Sequence, residues 1–272
     1  MNDPAGKAPR FPLRLDQVGG QAPAPRKELL RPQAPLQQAH ADAARRAAPS
    51  GLGLDSADVR RRMVQRLQAQ GLQHEAVAAA LAEVPRHAFV DAALATQAYE
   101  DTSLPIGLGQ TISKPSVVAR MIELLMHGAR ARAADGLGRT LEIGTGCGYQ
   151  AALLARLSRQ VLSIERLKPL HDKARENIAP LRIANLRLVY GDGMRGHPPN
   201  APYDSIIAAA GGEALPPAWL EQLAVGGRLV APLQEPRTNR QVLVVVDRHE
   251  AGYEHSVHEA VKFVPLKSGL GG

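Results

Sequence analysis

Three acidic residues and a glycine cluster carry the chemistry that can be read from this sequence. The run Leu141-Glu142-Ile143-Gly144-Thr145-Gly146-Cys147-Gly148-Tyr149 passes from apolar residues into alternate glycines. Glycine lets backbone approach a ligand closely and permits positive φ in the turn. A dinucleotide site sets its third glycine one residue later, for helix–strand packing beside a pyrophosphate. Here the spacing is G-x-G-x-G, and Glu142 suits an ammonium-bearing ligand better than a pyrophosphate. S-adenosylmethionine has that ammonium, a sulfonium and no phosphate. Glu165 ends the next apolar run 23 residues after Glu142, where a carboxylate can accept both hydroxyls of a ribose. Asp192 closes a third run, in Tyr190-Gly191-Asp192-Gly193, placed for an adenine amino group. Each acid alone is an ordinary strand end. In this order, on consecutive strands, they point to methyl transfer.

Other chemistries fit less well. Cys147 sits between two of the glycines, but transfer from a sulfonium needs no covalent intermediate on the protein. His87, His171, His197 and His249 show no metal-ligand spacing, and no metal is expected. The stretch from Tyr99 to Ser116 is rich in proline, glycine and small hydroxyls, which forbids long regular structure and points to a shaped loop. Ser113 lies at its end, just before a helix whose first turn accommodates Pro115. A hydroxyl there can cap the helix or bind an anion.

The elements that must position these residues alternate. Residues 140–143, 160–165, 186–192, 203–210 and 228–233 read as strands, with amphipathic helices between them over 149–157, 169–178 and 216–224. That alternation gives an α/β fold: a doubly wound, mostly parallel sheet with helices on both faces and ligands at the carboxyl ends of the strands. QVLVVVDRH and HEAVKFVPL read as a closing antiparallel pair. Upstream, Asp55-Ser56 caps a helix carrying Val59, Met63 and Leu67, and a second carries Val77, Ala80, Leu81 and Val84 before Pro85 stops it. A further helix after Pro115 presents Val117, Val118, Met121, Ile122 and Leu125.

Residues 1–54 differ from the rest. They hold eight prolines, eleven alanines, eight Lys/Arg against four acids, and Phe11 as their only aromatic. Such a composition cannot bury enough surface to offset its ordering entropy, so a disordered tail is expected before a domain over 55–272. An organelle transit peptide is the rival reading, opposed by Asp3, Asp16, Glu28 and Asp42. No apolar run reaches the roughly 20 residues needed to span a bilayer. A single cysteine suits a reducing compartment, so a cytoplasmic protein with no membrane association is expected. The net charge of +7 and pI near 9.8 come from scattered Lys and Arg, and aromatics are 3% of the chain, which leaves little for base stacking. No nucleic-acid partner is expected.

The run LPIGLGQTISKP, Leu104 to Pro115, resembles the signature of protein-L-isoaspartate (D-aspartate) O-methyltransferases. Val84-Pro-Arg-His-Ala-Phe-Val90 and Tyr99-Glu-Asp101 are similar to the family's preceding segments, and LEIGTGCGYQAALLA, SIER, GDG, YDSII, GGRLVAPL and VKFVPL follow in order. The resemblance covers roughly 56 to 270. It implies a Rossmann-like class I methyltransferase that methylates the α-carboxylate of L-isoaspartyl residues in damaged proteins and peptides, with S-adenosyl-L-methionine as donor. The ester then recloses to a succinimide, and hydrolysis returns some normal aspartate. By resemblance Ser113 is the active-site residue, while Gln110, Thr111 and Ile112, with Gly144, Thr145, Gly146 and Gly193, join Glu142, Glu165 and Asp192 around the cofactor. A monomer is the expected form. Gly211-Gly212 departs from the Ala/Pro pair of many relatives. Two alternatives stay open: a tailoring enzyme for one dedicated peptide, and a non-catalytic module that binds altered carboxylates.

Overall fold

Alternation along the strands divides the core in two. The structure, a computed structural model, describes residues 57–235 and 238–271; the expected tail and the Asp55-Ser56 cap lie outside them. In chain order the elements are α1 (Ala57–Ala69), α2 (Glu75–Glu83), β1 (Leu104–Gly107), β2 (Gln110–Ile112), α3 (Pro115–Met126), α4 (Ala129–Ala134), β3 (Arg139–Ile143), α5 (Tyr149–Leu157), β4 (Gln160–Glu165), α6 (Lys168–Ile178), β5 (Leu186–Tyr190), β6 (Tyr203–Ala208), α7 (Pro217–Gln222), β7 (Leu223–Gln234), β8 (Gln241–His249) and β9 (Gly252–Val261). Successive strand residues point to opposite faces. Val161, Ile207, Val230 and Val245 pack on one side of the sheet with α1, α2, α3 and α5. Leu162, Ile206, Leu229 and Val246 pack on the other with Trp219 of α7.

The sheet runs β5-β4-β3-β6-β7-β8-β9, parallel from β5 to β7 and antiparallel beyond. This is the doubly wound, mostly parallel sheet expected, with its antiparallel end. Order reverses at β3, whose neighbours are β4 and β6, and a crevice opens there at the strand carboxyl ends. The last strand differs from the sequence reading. It begins at Gly252 after a tight turn from His249 and ends at Val261, so the residues of VKFVPL beyond Val261 leave the sheet. Residues 252–261 are mostly exposed at a sheet edge, so burial imprints little apolar pattern on them. The stretch expected as an irregular loop contains the small β1–β2 hairpin, paired Leu104 with Ile112 and Gly107 with Gln110.

The helical layer is tied to the site through α3. Val118, Met121, Ile122 and Leu125 are buried as expected, and so is Glu123. Its Oε1 accepts from the backbone N–H groups of Gln73 (2.8 Å) and His74 (2.9 Å), at the start of α2, where His74 offers no side-chain cap. Glu123 therefore caps a helix other than its own. Glu123→Ala would strand two backbone donors and should destabilise the domain by about 1–3 kcal/mol. At this size that lowers Tm by about 2–4 °C per kcal/mol. Glu123→Gln keeps an acceptor and should lose less; equal melting of wild type and Glu123→Ala would show that the cap contributes nothing.

Candidate active site

The crevice at the carboxyl ends of β3 and β4 opens into a cleft of about 420 Å³. Its floor is the loop after β3. Gly144, Gly146 and Gly148 have φ of 90°, 56° and 93°, in the left-handed region that side chains rarely adopt. A Cβ on Gly146 would stand 3.2 Å from Ile106 of the hairpin, and one on Gly148 2.7 Å from Ile178 of α6. The first contact lets the hairpin close over the loop, and the second lets α5 pack against α6. The third glycine of this spacing thus serves helix packing, one residue earlier than in a dinucleotide site.

Nine of the expected residues meet in this cleft: Gln110, Thr111, Ile112, Ser113, Gly144, Thr145, Gly146, Glu165 and Gly193 all line it. Glu165, 5% exposed, stands at the tip of β4. Its Oε2 accepts from Gly146 N and its Oε1 from Leu167 N, each at 2.9 Å. One carboxylate thereby fixes the glycine loop and the β4–α6 turn together. Each oxygen keeps a further lone pair for a ligand hydroxyl.

Glu142 and Asp192, also expected at the cofactor, are each held by protein partners beside the cleft. Glu142 lies one residue back from the end of β3, completely buried and directly opposite Ser163 of β4. The Ser163 hydroxyl donates to Glu142 Oε2, and Thr145 Oγ1 lies 2.6 Å from the Ser163 oxygen. Complete burial pushes the Glu142 pKa up to about 8 against the pull of the Ser163 and Gln150 side chains, with a small further push from Glu165. A carboxyl largely protonated near neutrality is a poor counter-ion for an ammonium; it supports the loop from behind through Ser163 and Thr145. Asp192 accepts from Met194 N (3.0 Å) and Gly269 N (2.8 Å), so it fastens backbone while the adjacent Gly193 faces the cleft.

The rest of the cleft wall has two parts. On one side the β1–β2 hairpin leads to Ser113. The N-cap of α3 is Lys114, which makes no side-chain cap. Asp101 takes that task instead, accepting from Ser116 N (2.9 Å) and Ser116 Oγ (2.8 Å). The Ser113 hydroxyl is therefore not a helix cap. On the other side, Val264, Pro265, Leu266 and Lys267 line the cleft. This C-terminal segment is pinned at Gly211, through Gly211 N to Val264 O (2.9 Å) and Leu266 N to Gly211 O (2.8 Å), and at Arg166, whose Nε donates to Gly269 O (2.9 Å). Sequence reasoning did not assign these residues to the site. VPL gave only a strand-like apolar signal. Ile143, Tyr149, Gln150, Arg166 and Leu167 also line the cleft unassigned. Among the described residues, no group of three or more His, Cys, Asp and Glu is placed to hold a metal.

The family model described as protein-L-isoaspartate(D-aspartate) O-methyltransferase matches residues 58–271. A protein-L-isoaspartate O-methyltransferase of Methylibium petroleiphilum is 65% identical over 263 residues, 96% of this chain and 97% of its own length. One from Leptothrix cholodnii is 63% identical, covering 88% of this chain and 84% of its own. Among solved structures, a protein-L-isoaspartate O-methyltransferase superposes with a TM-score of 0.69 at 28% identity, over 78% of this chain and 67% of that one. A Plasmodium falciparum protein described as a protein-L-isoaspartate O-methyltransferase, solved with S-adenosyl-L-homocysteine, shares the fold at a TM-score of 0.66 and 24% identity, over 76% of this chain and 98% of its own.

The buried Glu142 gives stability a pH signature. An acid with a raised folded pKa keeps its proton in the fold while the unfolded chain releases it. Its contribution to stability therefore falls as pH rises from the ordinary carboxylate range, near 4.5, towards about 8, and is level above that. Glu142→Gln stays neutral at every pH. Its urea midpoint should decline less steeply than that of wild type between about pH 5 and 8. Parallel profiles would show that Glu142 is ionised in the folded protein.

Proposed function

The chain belongs to the protein-L-isoaspartate (D-aspartate) O-methyltransferase family, and from that premise we infer that its cleft transfers methyl from S-adenosylmethionine to L-isoaspartyl carboxylates. It is an S-adenosylmethionine-dependent carboxyl methyltransferase, and its product ester initiates repair of damaged proteins and peptides. The observation that carries the assignment to this cleft is the meeting of Ser113, the glycine loop and Glu165 around one cavity. A floor without Cβ atoms and a strand-tip carboxylate beside it fit a nucleoside with vicinal hydroxyls.

The roles we propose follow from the acceptor. A carboxylate has an ordinary pKa near 4 and is already an anion at neutral pH, so no general base is required. The bound donor supplies an electrophilic methyl: a carboxylate oxygen forms the new C–O bond as the C–S bond breaks, leaving the methyl ester and S-adenosylhomocysteine. The protein's task is alignment, with the reacting atoms held about 3–3.5 Å apart. Ser113, its hydroxyl free of the α3 cap, donates to one carboxylate oxygen and aims the other. Glu165 holds the ribose hydroxyls, and Gln110, Thr111 and Ile112 close over the donor from the hairpin. Val264 to Lys267 form the opposite side of the acceptor pocket. We further infer a cytoplasmic monomer acting without a nucleic-acid or membrane partner. The single cysteine is buried, and among the described residues no helix is long and apolar enough to cross a membrane.

Two measurements test these roles. Calorimetry with S-adenosylhomocysteine should show Glu165→Ala losing about 1.5–3 kcal/mol, roughly 10- to 150-fold in Kd; unchanged affinity would remove Glu165 from the ribose site. With labelled donor, the enzyme should methylate an L-isoaspartyl peptide and ignore its L-aspartyl twin, because the two isomers place their carboxylates differently against the backbone. Ser113→Ala should lower turnover on the order of 100-fold, the cost of about 1 Å of misplacement, with little change in cofactor affinity. Equal rates on the two peptides would sink the repair assignment, activity confined to one peptide sequence would indicate a tailoring enzyme, and wild-type turnover in Ser113→Ala would remove the serine from the mechanism.

A further inference from the structure

Arg86 opens a short 3-10 turn, Arg86–Phe89, that follows α2. Its side chain is completely buried and donates to three backbone carbonyls: Nε to Ala98 O (2.8 Å), Nη2 to Ser113 O (2.8 Å) and, longer, to Thr102 O (3.4 Å), with the Tyr149 side chain as a further partner. Among the described residues its Nη1 has no partner. Burying a cation without a carboxylate costs several kcal/mol, and a hydrophobic side chain would fill the space without that cost. Burial also pulls the guanidinium pKa down, an expression of the same penalty.

What the guanidinium achieves at this cost is a connection. Its carbon lies 4.9 Å from the ring centroid of Tyr149, which Phe89 braces edge-on at 5.6 Å. Tyr149 is the first residue of α5, directly after the glycine loop, and lines the cleft, as Ser113 does. Only a planar fork with a flat face can donate to carbonyls in several directions and stack on a ring at once. Lysine offers a point charge and no face.

We propose that Arg86 is a positioning residue that fixes the separation between the acceptor loop and the glycine loop, and so aligns the carboxylate with the methyl group. This rests on the reading of Ser113 and the cofactor floor given above. Arg86 acts on the reaction through the Ser113 backbone and the Tyr149 ring. The strut belongs to the transferring state more than to donor binding, because its hydrogen bonds hold the acceptor side.

The test is Arg86→Lys in the full chain, with four readouts. Thermal melting should show a folded protein, and S-adenosylhomocysteine should bind with wild-type Kd by calorimetry. On an isoaspartyl peptide, kcat should fall on the order of 100-fold while KM changes little. Amide exchange should speed up across the 104–112 hairpin and not in β3, a readout that needs no turnover. Arg86→Lys combined with Ser113→Ala should lose less than the product of the two single losses, since both disturb one alignment. Should Arg86→Lys fail to fold, Arg86→Gln removes the buried charge and takes the same measurements. Unchanged kcat and exchange, a kcat loss matched by an equal loss of cofactor affinity, or fully multiplicative losses would each overturn the proposal. So would unfolding of both variants, which would make Arg86 a fold element. A wild-type enzyme inactive on isoaspartyl peptides would instead overturn the functional reading, while hairpin exchange would still report on the strut.

Discussion

The cleft depends first on what one carboxylate does to the backbone. The parallel strands deliver their carboxyl ends side by side, but the loops that leave them have no ladder to hold them. At the tip of β4, Glu165 accepts from Gly146 N in one loop and Leu167 N in another. Hydrogen bonds to an ionised acceptor are about twice as strong as neutral ones, and two of them fix the spacing of the floor. The effect extends further, because Leu167 bridges to Gly271, and Lys168 N donates to Gly271 O. The chain's last described residues are thereby registered against the same turn. A ligand that shares Glu165 binds a group whose position is already set, so little ordering remains to be done on binding.

Two glutamates on the same face of adjacent strands have different surroundings. Glu142 is completely buried beside Ser163 and pushed up to about 8, whereas Glu165 reaches the cleft and accepts two backbone hydrogen bonds. Burial is the main cause of the Glu142 shift, with Glu165 adding a small push in the same direction. The outcome suits a reaction that needs no proton moved. Behind the loop, a neutral, hydrogen-bonded carboxyl serves as support. Methyl transfer between a carboxylate and a sulfonium asks for placement, which the glycine floor and the hairpin supply through shape.

The sheet and the floor were legible in the sequence for a physical reason. Parallel strands are covered on both faces, so they read as apolar runs, and the loop that permits ligand approach must be glycine. The same double burial hid the surroundings of Glu142: nothing in 140–143 tells that Ser163 of the neighbouring strand stands opposite it. The backbone bonds of Asp192 were not legible for another reason, since a strand-tip acid reads identically whether it binds ligand or backbone. Edge strand β9 was misplaced because exposure leaves no alternation to read, and Val264 to Lys267 went unassigned because their role is created by distant partners, Gly211 and Arg166. Ser113 was open between cap and site until Lys114 proved to be the N-cap and Asp101 the residue that holds the start of the helix.

Selectivity between isomers must then arise in the acceptor wall, and attraction cannot be its source. Both the isoaspartyl and the aspartyl residue carry one carboxylate, so a cation near the cleft, such as Lys267, draws either. The isomers differ in where the peptide backbone runs relative to that carboxylate. A wall that discriminates must therefore constrain the backbone path, which requires rigid segments on both sides. The hairpin is stiffened by its own ladder and by the Ser113 carbonyl on Arg86; the opposite segment is stiffened by main-chain bonds to Gly211. Gly211 matters there in its own right, because a Cβ would stand 2.5 Å from the Gln241 side chain, whose Oε1 accepts from Phe263 N at the root of the same segment. The glycine pair thus lies where the wall is anchored, and the small size of Gly211 lets Gln241 hold that anchor from within the sheet.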